Sequence, residues 1–208
     1  WSSTETALKK DKKRKIFDRD SVLERFKFQL KNSNIETKYT LKPNFTWACA
    51  DINYLYEKFI NKKFILLFPF SSPQLSHKQW KKFNELIKII KSKHKNLAIA
   101  IAPGPSEISR SKEIDAISVM NNEKALDIMQ LAGLISKSNF VVANDTGPAH
   151  MAAHLGSRGI GLFGHHTTPE KVSIETEKFR SLKVDNLDNL SAKEVYEKTR
   201  NQLDLISK

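Results

Sequence analysis

Apolar and polar positions alternate between two patterns along residues 64–208, one typical of buried strands and the other of amphipathic helices. Short apolar runs predict strands covered on both faces, over residues 64–68, 97–102, 116–119, 140–143 and 160–163. Apolar residues at three- and four-residue intervals predict helices between and after them, over residues 80–90, 126–135, 148–155 and 195–206. Strands that alternate with helices in this way predict an α/β fold, in which a parallel sheet carries helices on both faces.

Residues 1–63 are less regular than the rest of the chain. Apolar residues between Val22 and Leu30 have the spacing of one helix face, and a second short helix is predicted over residues 52–59. Two pairs further along the chain, Ser76 with Gln79 and Ser191 with Glu194, have the spacing of capping boxes and predict helix starts.

Polar residues follow four of the predicted strands directly. They are Ser71 and Ser72 after the first, residues 104–107 after the second, 144–147 after the fourth and 164–168 after the fifth. The carboxyl ends of parallel strands meet at one edge of a sheet, and ligands bind there near the point where the strand order reverses. The sequence therefore predicts a binding cleft at this edge.

The segment from Asn144 to Gly156 carries the clearest chemical signal within that cleft. Pro148 suits the start of a helix, where its missing N–H is not needed, and Gly156 suits a left-handed helix end. The free N–H groups at the start of this helix open beside Asp145, Thr146 and His150. Such a helix start favours an anion such as a phosphate, so we expect a nucleotide-sugar site here.

The chain has a net charge of +12, which is spread along its length apart from one dense run, Lys9 to Lys15. Nucleic-acid binding, attraction to an anionic membrane or phosphorylated substrate, and plain solubility compete as explanations. The run is mostly lysine and has no interleaved aromatic residues or glycines, which favours a solvated face and disfavours nucleic acid as a partner.

Cysteine and histidine usage disfavours a metal centre. The single cysteine, Cys49, excludes an internal disulfide and a cysteine-rich metal site. His165 and His166 are adjacent, a spacing that rarely chelates one ion well, and no Cys or Asp cluster accompanies them. No apolar run approaches the roughly 20 residues that cross a bilayer. We therefore expect no metal and no cofactor, and a cytoplasmic location.

Together these segments resemble glycosyltransferase family 9, the ADP-heptose:lipopolysaccharide heptosyltransferases. Residues 145–153 look like its Asp-Thr/Ser-Gly-x-x-His-x-x-Ala signature, and residues 68–72 followed by Lys78-Gln79-Trp80 look like its other hallmark. The match covers about residues 64–170. Two departures stand out: Phe70 replaces a common glycine, and residues 164–169 (Gly-His-His-Thr-Thr-Pro) replace Gly-Pro-Thr-Asp-Pro.

The resemblance implies a GT-B architecture and sets an expected domain division. Residues 64–208 would form the Rossmann-like, carboxyl-terminal domain that binds the nucleotide-sugar donor. Residues 1–63 would be the tail of the acceptor-binding domain and the connection between the domains. The family places its proposed general base, an early Asp, in that amino-terminal domain, so we expect the 208 residues alone to be inactive.

The resemblance also suggests roles for the residues of the predicted cleft. Lys78 would stabilise the departing diphosphate, although by itself it could be an exposed lysine of a lysine-rich helix. Ser71, Ser72, Thr146 and Gly147 would hold the diphosphate, the last two also serving as a helix cap.

Three further residues have more open roles. Asp145 would repel a diphosphate, so we expect it to orient the loop or to meet sugar hydroxyls. His150 would donate to phosphate when charged. Glu107 would accept hydrogen bonds from ribose hydroxyls or act as an acidic residue at a helix start.

The resulting hypothesis is an inverting, metal-independent glycosyltransferase that moves a heptose-like sugar from an ADP-sugar to a lipopolysaccharide-core or other glycolipid acceptor. The basic surface would favour the inner face of the inner membrane, where the protein would be peripheral. The alternative is a nucleotide-binding module without enzymatic activity, which would bind ADP without preferring any sugar.

Overall fold

The computed structural model describes residues 20–207, and its centre is a six-stranded sheet in which all neighbouring strands are parallel. The strands are β1 (Phe64–Phe68), β2 (Ala98–Ile101), β3 (Ile117–Ser118), β4 (Phe140–Asn144), β5 (Gly159–Phe163) and β6 (Phe179–Lys183). This confirms the predicted α/β fold, a Rossmann-like parallel sheet with helices on both faces. The lysine run at Lys9 to Lys15 lies outside the described residues.

Strand β6 was not predicted from the sequence. It lies at the edge of the sheet, beside β5, and of its residues only Phe179 is buried. Arg180 and Lys183 are exposed, so the continuous apolar run that marked the inner strands is absent here. Charged residues on an edge strand also discourage pairing with another chain.

Helices cover the two faces of the sheet. They are α1 (Val22–Asn32), α2 (Asn53–Phe59), α3 (Phe83–Lys93), α4 (Ile108–Ser111), α5 (Ile128–Lys137), α6 (Gly147–His154), α7 (Pro169–Val172) and α8 (Ala192–Ser207). The side chains of β1 alternate between two cores: Ile65 and Leu67 pack with α3 and α8, whereas Leu66 packs with α2, α5 and α6. None of the helices described between residues 20 and 207 is long and apolar enough to cross a membrane.

One of the two predicted capping boxes forms. At the start of α8, the Glu194 carboxylate accepts from the Ser191 backbone N–H at 2.9 Å, and the Ser191 Oγ accepts from the Glu194 N–H at 3.2 Å. The prediction at Ser76 and Gln79 was wrong. Residues 73–78 form a 3₁₀ turn and α3 begins only at Phe83, because Gln79 is extended and the following N–H is bonded elsewhere.

The segment before β1 packs tightly against α5. The Ala50 N–H donates to the Met129 carbonyl at 3.0 Å, and Ile52 is fully buried in the core that β1 shares with α5. Gly133 makes this approach possible, because a methyl group there would lie 2.3 Å from the Ala50 carbonyl oxygen. Residues 50–52 are therefore part of the same packed body as the sheet.

We expect Gly133→Ala to lower the free energy of unfolding by roughly 1–3 kcal/mol, because the new methyl group meets backbone that cannot rotate away. The matched control is Gly147→Ala, where the added methyl group has no neighbour within 4 Å and stability should change by less than about 0.5 kcal/mol. Urea unfolding of both variants measures the difference. Equal stability of the Gly133 variant and the wild type would contradict the observed packing.

The strand order reverses at β1, which pairs with β2 on one side and with β4 on the other. The loop after β1 and the loop after β4 therefore leave the sheet side by side at its carboxyl edge. This is the position at which open α/β sheets bind ligands. It is also where the polar residues predicted to form a cleft come together.

Candidate functional site

A buried asparagine ties together the two loops that form the site. Asn144, the last residue of β4, is fully buried. Its Oδ1 accepts a hydrogen bond from the Trp80 backbone N–H at 3.0 Å, and its Nδ2 donates to the Pro69 carbonyl at 2.9 Å. The loop after β1 is thus held against β4 at both ends of the loop, and these two bonds fix the position of the side chains that the loop carries.

Asp145 is the centre of the charged part of the site. Only 3% of its side chain is exposed, and its Oδ2 accepts a hydrogen bond from Lys78 Nζ at 2.7 Å. The same oxygen lies 3.0 Å from His166 Nε2, and Oδ1 lies 3.3 Å from His150 Nε2. Three residues that the sequence singled out, Lys78, Asp145 and His150, are therefore in contact.

The surroundings of Asp145 keep it ionised. Burial alone would raise the pKa of the carboxyl group, but the hydrogen bonds from His150, Lys78 and His166, together with the charge of Lys78, outweigh it. The resulting pKa lies well below the usual range of an aspartate. Near neutral pH the site therefore holds a fixed negative charge on Asp145, in contact with the ammonium group of Lys78.

A cleft of about 250 Å³ opens between the loops that follow β1, β2 and β4. The predicted residues that line it are Ser71, Ser72, Glu107 and Thr146. Gly147 lies next to Thr146 at the start of α6, with open space around it. The loops after β1, β2 and β4 thus converge as the sequence indicated, whereas residues 164–168 and the side chains of Lys78, Asp145 and His150 do not line this cleft.

The polar groups of the cleft make hydrogen bonds within the protein. The Ser71 hydroxyl donates to the Leu75 carbonyl at 3.1 Å, and the Thr146 hydroxyl donates to the Asn144 carbonyl at 3.2 Å. The Glu107 carboxylate accepts from the Gly104 N–H at 2.8 Å, as expected of an acidic residue at a helix start. The contacts of these residues with a diphosphate and with ribose remain predictions.

Sequence reasoning gave no specific role at the site to three residues that shape it: Asn144, Arg110 and His166. The Arg110 guanidinium lies 4.9 Å from the centre of the Phe70 ring and donates to Gln79 Oε1 at 3.2 Å, so it places a cation against the loop after β1. His166 was named among the polar residues after the fifth strand and in the segment that departs from the family pattern, but the one role weighed for it was that of a metal ligand. Within residues 20–207, no set of three or more histidine, cysteine or acidic side chains is placed to hold a metal ion.

A larger groove of about 860 Å³ lies at the other end of α6 and holds none of the predicted site residues. It is lined by residues 21–24 and 41–44 on one side and by the end of α6 and residues 173–178 on the other. Since its position is far from the carboxyl ends of the strands, we do not assign it to the same site.

Comparison with known proteins decides the family. The profile of glycosyltransferase family 9 (heptosyltransferase) matches residues 2–200. The chain belongs to glycosyltransferase family 9. A curated relative, the lipopolysaccharide core heptosyltransferase OpsX of Haemophilus influenzae, is 28% identical over 164 residues, which cover 75% of this chain and 43% of OpsX.

Solved structures of heptosyltransferases share the fold of this chain. The E. coli heptosyltransferase WaaC with ADP superposes with a TM-score of 0.59 at 20% identity, over 68% of this chain and 44% of WaaC. The E. coli ADP-heptose lipopolysaccharide heptosyltransferase II superposes with a TM-score of 0.60 at 20% identity, over 74% and 51%. The family 9 chain described here spans about half the length of these relatives.

Proposed function

We propose that this chain is the donor-binding part of a glycosyltransferase that moves a heptose-like sugar from an ADP-sugar to a lipopolysaccharide-core acceptor. The observation that carries the proposal is the Lys78–Asp145 pair at the point where the strand order reverses, beside the cleft between the loops. Relatives of this chain are described as heptosyltransferases, and one of them was solved with ADP. Residues 64–208 would hold the donor, and residues 1–63 would connect it to the acceptor domain.

In the proposed reaction, the hydroxyl oxygen of the acceptor attacks the anomeric carbon of the sugar from the face opposite the diphosphate. The bond between that carbon and the diphosphate oxygen breaks, ADP leaves, and the hydroxyl proton passes to a base. Inversion follows because attack and departure occur on opposite faces. We place the base in the amino-terminal domain of the family and propose a metal-independent reaction, in which side chains stabilise the leaving group.

Lys78 would supply most of that stabilisation. Its side chain is 22% exposed, so its ammonium group can reach a diphosphate that enters from solvent, and a preorganised donor of this kind is commonly worth about 2.7–4 kcal/mol. Thr146 and Gly147 would offer donors at the start of α6, and Ser71 and Ser72 would face them from the loop after β1. Glu107 would accept from the ribose hydroxyls.

The proposed place of action is the inner face of the inner membrane. The net charge of +12 would hold the protein peripherally against anionic lipids, where it would meet the glycolipid acceptor. Its location is thus proposed as cytoplasmic.

Calorimetric titration of the full 208-residue chain with ADP, UDP and GDP tests the proposal. We expect ADP to bind most tightly, ADP-heptose to bind more tightly than ADP-ribose, and the isolated chain to show little or no sugar transfer. Binding of ADP without any preference for the sugar would favour a nucleotide-binding module. Transfer by the 208 residues alone would overturn the placement of the base outside them.

A further inference from the structure

The side chain of His166 is buried in the site, whereas its neighbour His165 is exposed to solvent. Only 5% of the His166 side chain is exposed. Its ring stacks on Phe163 with 6.2 Å between ring centres and meets the edge of His77 at 5.6 Å. A histidine enclosed in this way by two rings is held in one orientation, toward Asp145.

His166 and Lys78 share one acceptor atom, Asp145 Oδ2. An ionised carboxylate can only accept hydrogen bonds, so His166 Nε2 must carry the hydrogen in this contact. The other ring nitrogen, Nδ1, is buried and has no hydrogen-bond partner in the part of the chain described. A second proton on the ring would therefore sit at a nitrogen without a protein acceptor, so the resting ring is neutral.

The groups that face His166 set its charge. Burial lowers the pKa of the ring, the hydrogen bond and charge of Asp145 raise it, and the charges of Lys78 and His77 lower it again. The net pKa lies below the ordinary value of histidine. His150 contacts the same carboxylate through Oδ1, and the His77 ring packs against His166 itself.

A diphosphate that draws Lys78 away would leave Asp145 as a buried negative charge beside an anion. Such a charge is costly unless another cation replaces the lysine. Removing Lys78 from the neighbourhood of His166 and adding an anion both favour the protonated ring. Lys78 keeps its charge and changes partner, Asp145 stays ionised, and one proton from solvent binds His166 Nδ1. In this bound state the charges of Asp145 and of the bound anion outweigh the lack of a protein acceptor at Nδ1.

We propose that His166 is a positioning residue. When a bound diphosphate draws the Lys78 ammonium group to itself, His166 binds a proton and replaces Lys78 as the cation paired with Asp145. This rests on the proposed function, because it requires a nucleoside diphosphate in the cleft. It goes further by making donor binding a proton-uptake step. Affinity would then fall as pH rises through the pKa values of His166, by as much as tenfold per pH unit between the free and bound values.

Calorimetry of ADP-ribose binding in buffers with different ionisation enthalpies counts the protons taken up. ADP-ribose suits the test because neither of its phosphates titrates near neutral pH. We expect net uptake by the wild type and by the adjacent control, His165→Gln, which makes the same chemical change on an exposed ring. His166→Gln should bind ADP-ribose with less uptake and a flatter pH dependence, because the amide keeps a donor for Asp145 but cannot titrate.

Equal proton uptake by His166→Gln and the wild type would overturn the proposal and would point to another group at the site. Binding by the wild type without proton uptake would also overturn it, while leaving the donor site intact. Failure of the wild type to bind ADP-ribose or ADP would overturn the proposed function together with this inference. Should the variant not fold, ¹⁵N NMR of the wild-type histidine rings gives the same answer: the pKa of His166 must rise when ADP-ribose is added.

Discussion

Replacement of Lys78 by alanine should weaken ADP binding by about 10- to 150-fold. A hydrogen bond to a charged group contributes about 1.5–3 kcal/mol, and each 1.4 kcal/mol is a factor of ten in affinity. The loss of ADP affinity is expected to lie toward the upper end of that range, because the variant keeps the ionised carboxylate of Asp145. Without the lysine, this buried carboxylate would face the diphosphate with only two histidines to compensate its charge.

Calorimetric titration with ADP measures this effect, and Lys81→Ala is the matched control. Lys81 lies three residues further along the chain, is 71% exposed and pairs with Asp188 at 3.4 Å on the surface, so its loss should leave ADP binding unchanged. Asp145→Asn separates two roles of Lys78. If the lysine binds the ligand directly, removing the carboxylate should not reproduce the loss; an equal loss in both variants would mean that Lys78 acts only through Asp145.

The second large effect should come from Asn144→Ala, which we expect to lower the free energy of unfolding by about 2–5 kcal/mol. The change leaves the Trp80 N–H and the Pro69 carbonyl without their partner, and each unsatisfied buried group costs about 1–3 kcal/mol. ADP binding should weaken as well, because the loop that carries Lys78 is then released from β4. Urea unfolding and calorimetry on the same samples give both quantities.

Asn139→Ala is the control for this prediction, since it removes a similar contact from the opposite end of the same strands. Asn139 Oδ1 accepts a single hydrogen bond, from the Phe64 N–H at 2.9 Å, in a half-buried position. Its loss should cost about 1 kcal/mol and leave ADP affinity unchanged. Weaker ADP binding in the Asn139 variant, or wild-type stability in the Asn144 variant, would show that the link between the loops is not what holds the site.

The inner strands could be predicted because strands covered on both faces are apolar throughout. Residues 64–68 were assigned as a strand and form β1 with the same bounds. Strand β6 was missed because an edge strand is half exposed and its apolar run is broken by charge. The start of α3 was also misplaced: the bond between Asn144 and the Trp80 N–H, which keeps residues 79 and 80 out of the helix, joins residues 64 positions apart.

The site shows a similar division between what was predicted and what was missed. Lys78, Asp145 and His150 were selected from two separate segments, because each follows or lies near a predicted strand end and matches a family signature. His166 was passed over because its segment departs from the family pattern and two adjacent histidines suggested only a weak metal site. Its sequence gives no sign that one of these two rings is buried and the other exposed.

The sequence by itself determined the order of the first five strands and of the longer helices, the edge of the sheet at which polar residues gather, and the family to which the chain belongs. These follow from local periodicity, from turn-forming residues and from short motifs, all of which are properties of neighbouring residues. Only the tertiary structure decided that Lys78 and His166 meet on one oxygen of Asp145. Three loops from different parts of the chain supply these groups, and the partners that set the pKa of a buried group are determined by distance in space rather than by distance along the chain.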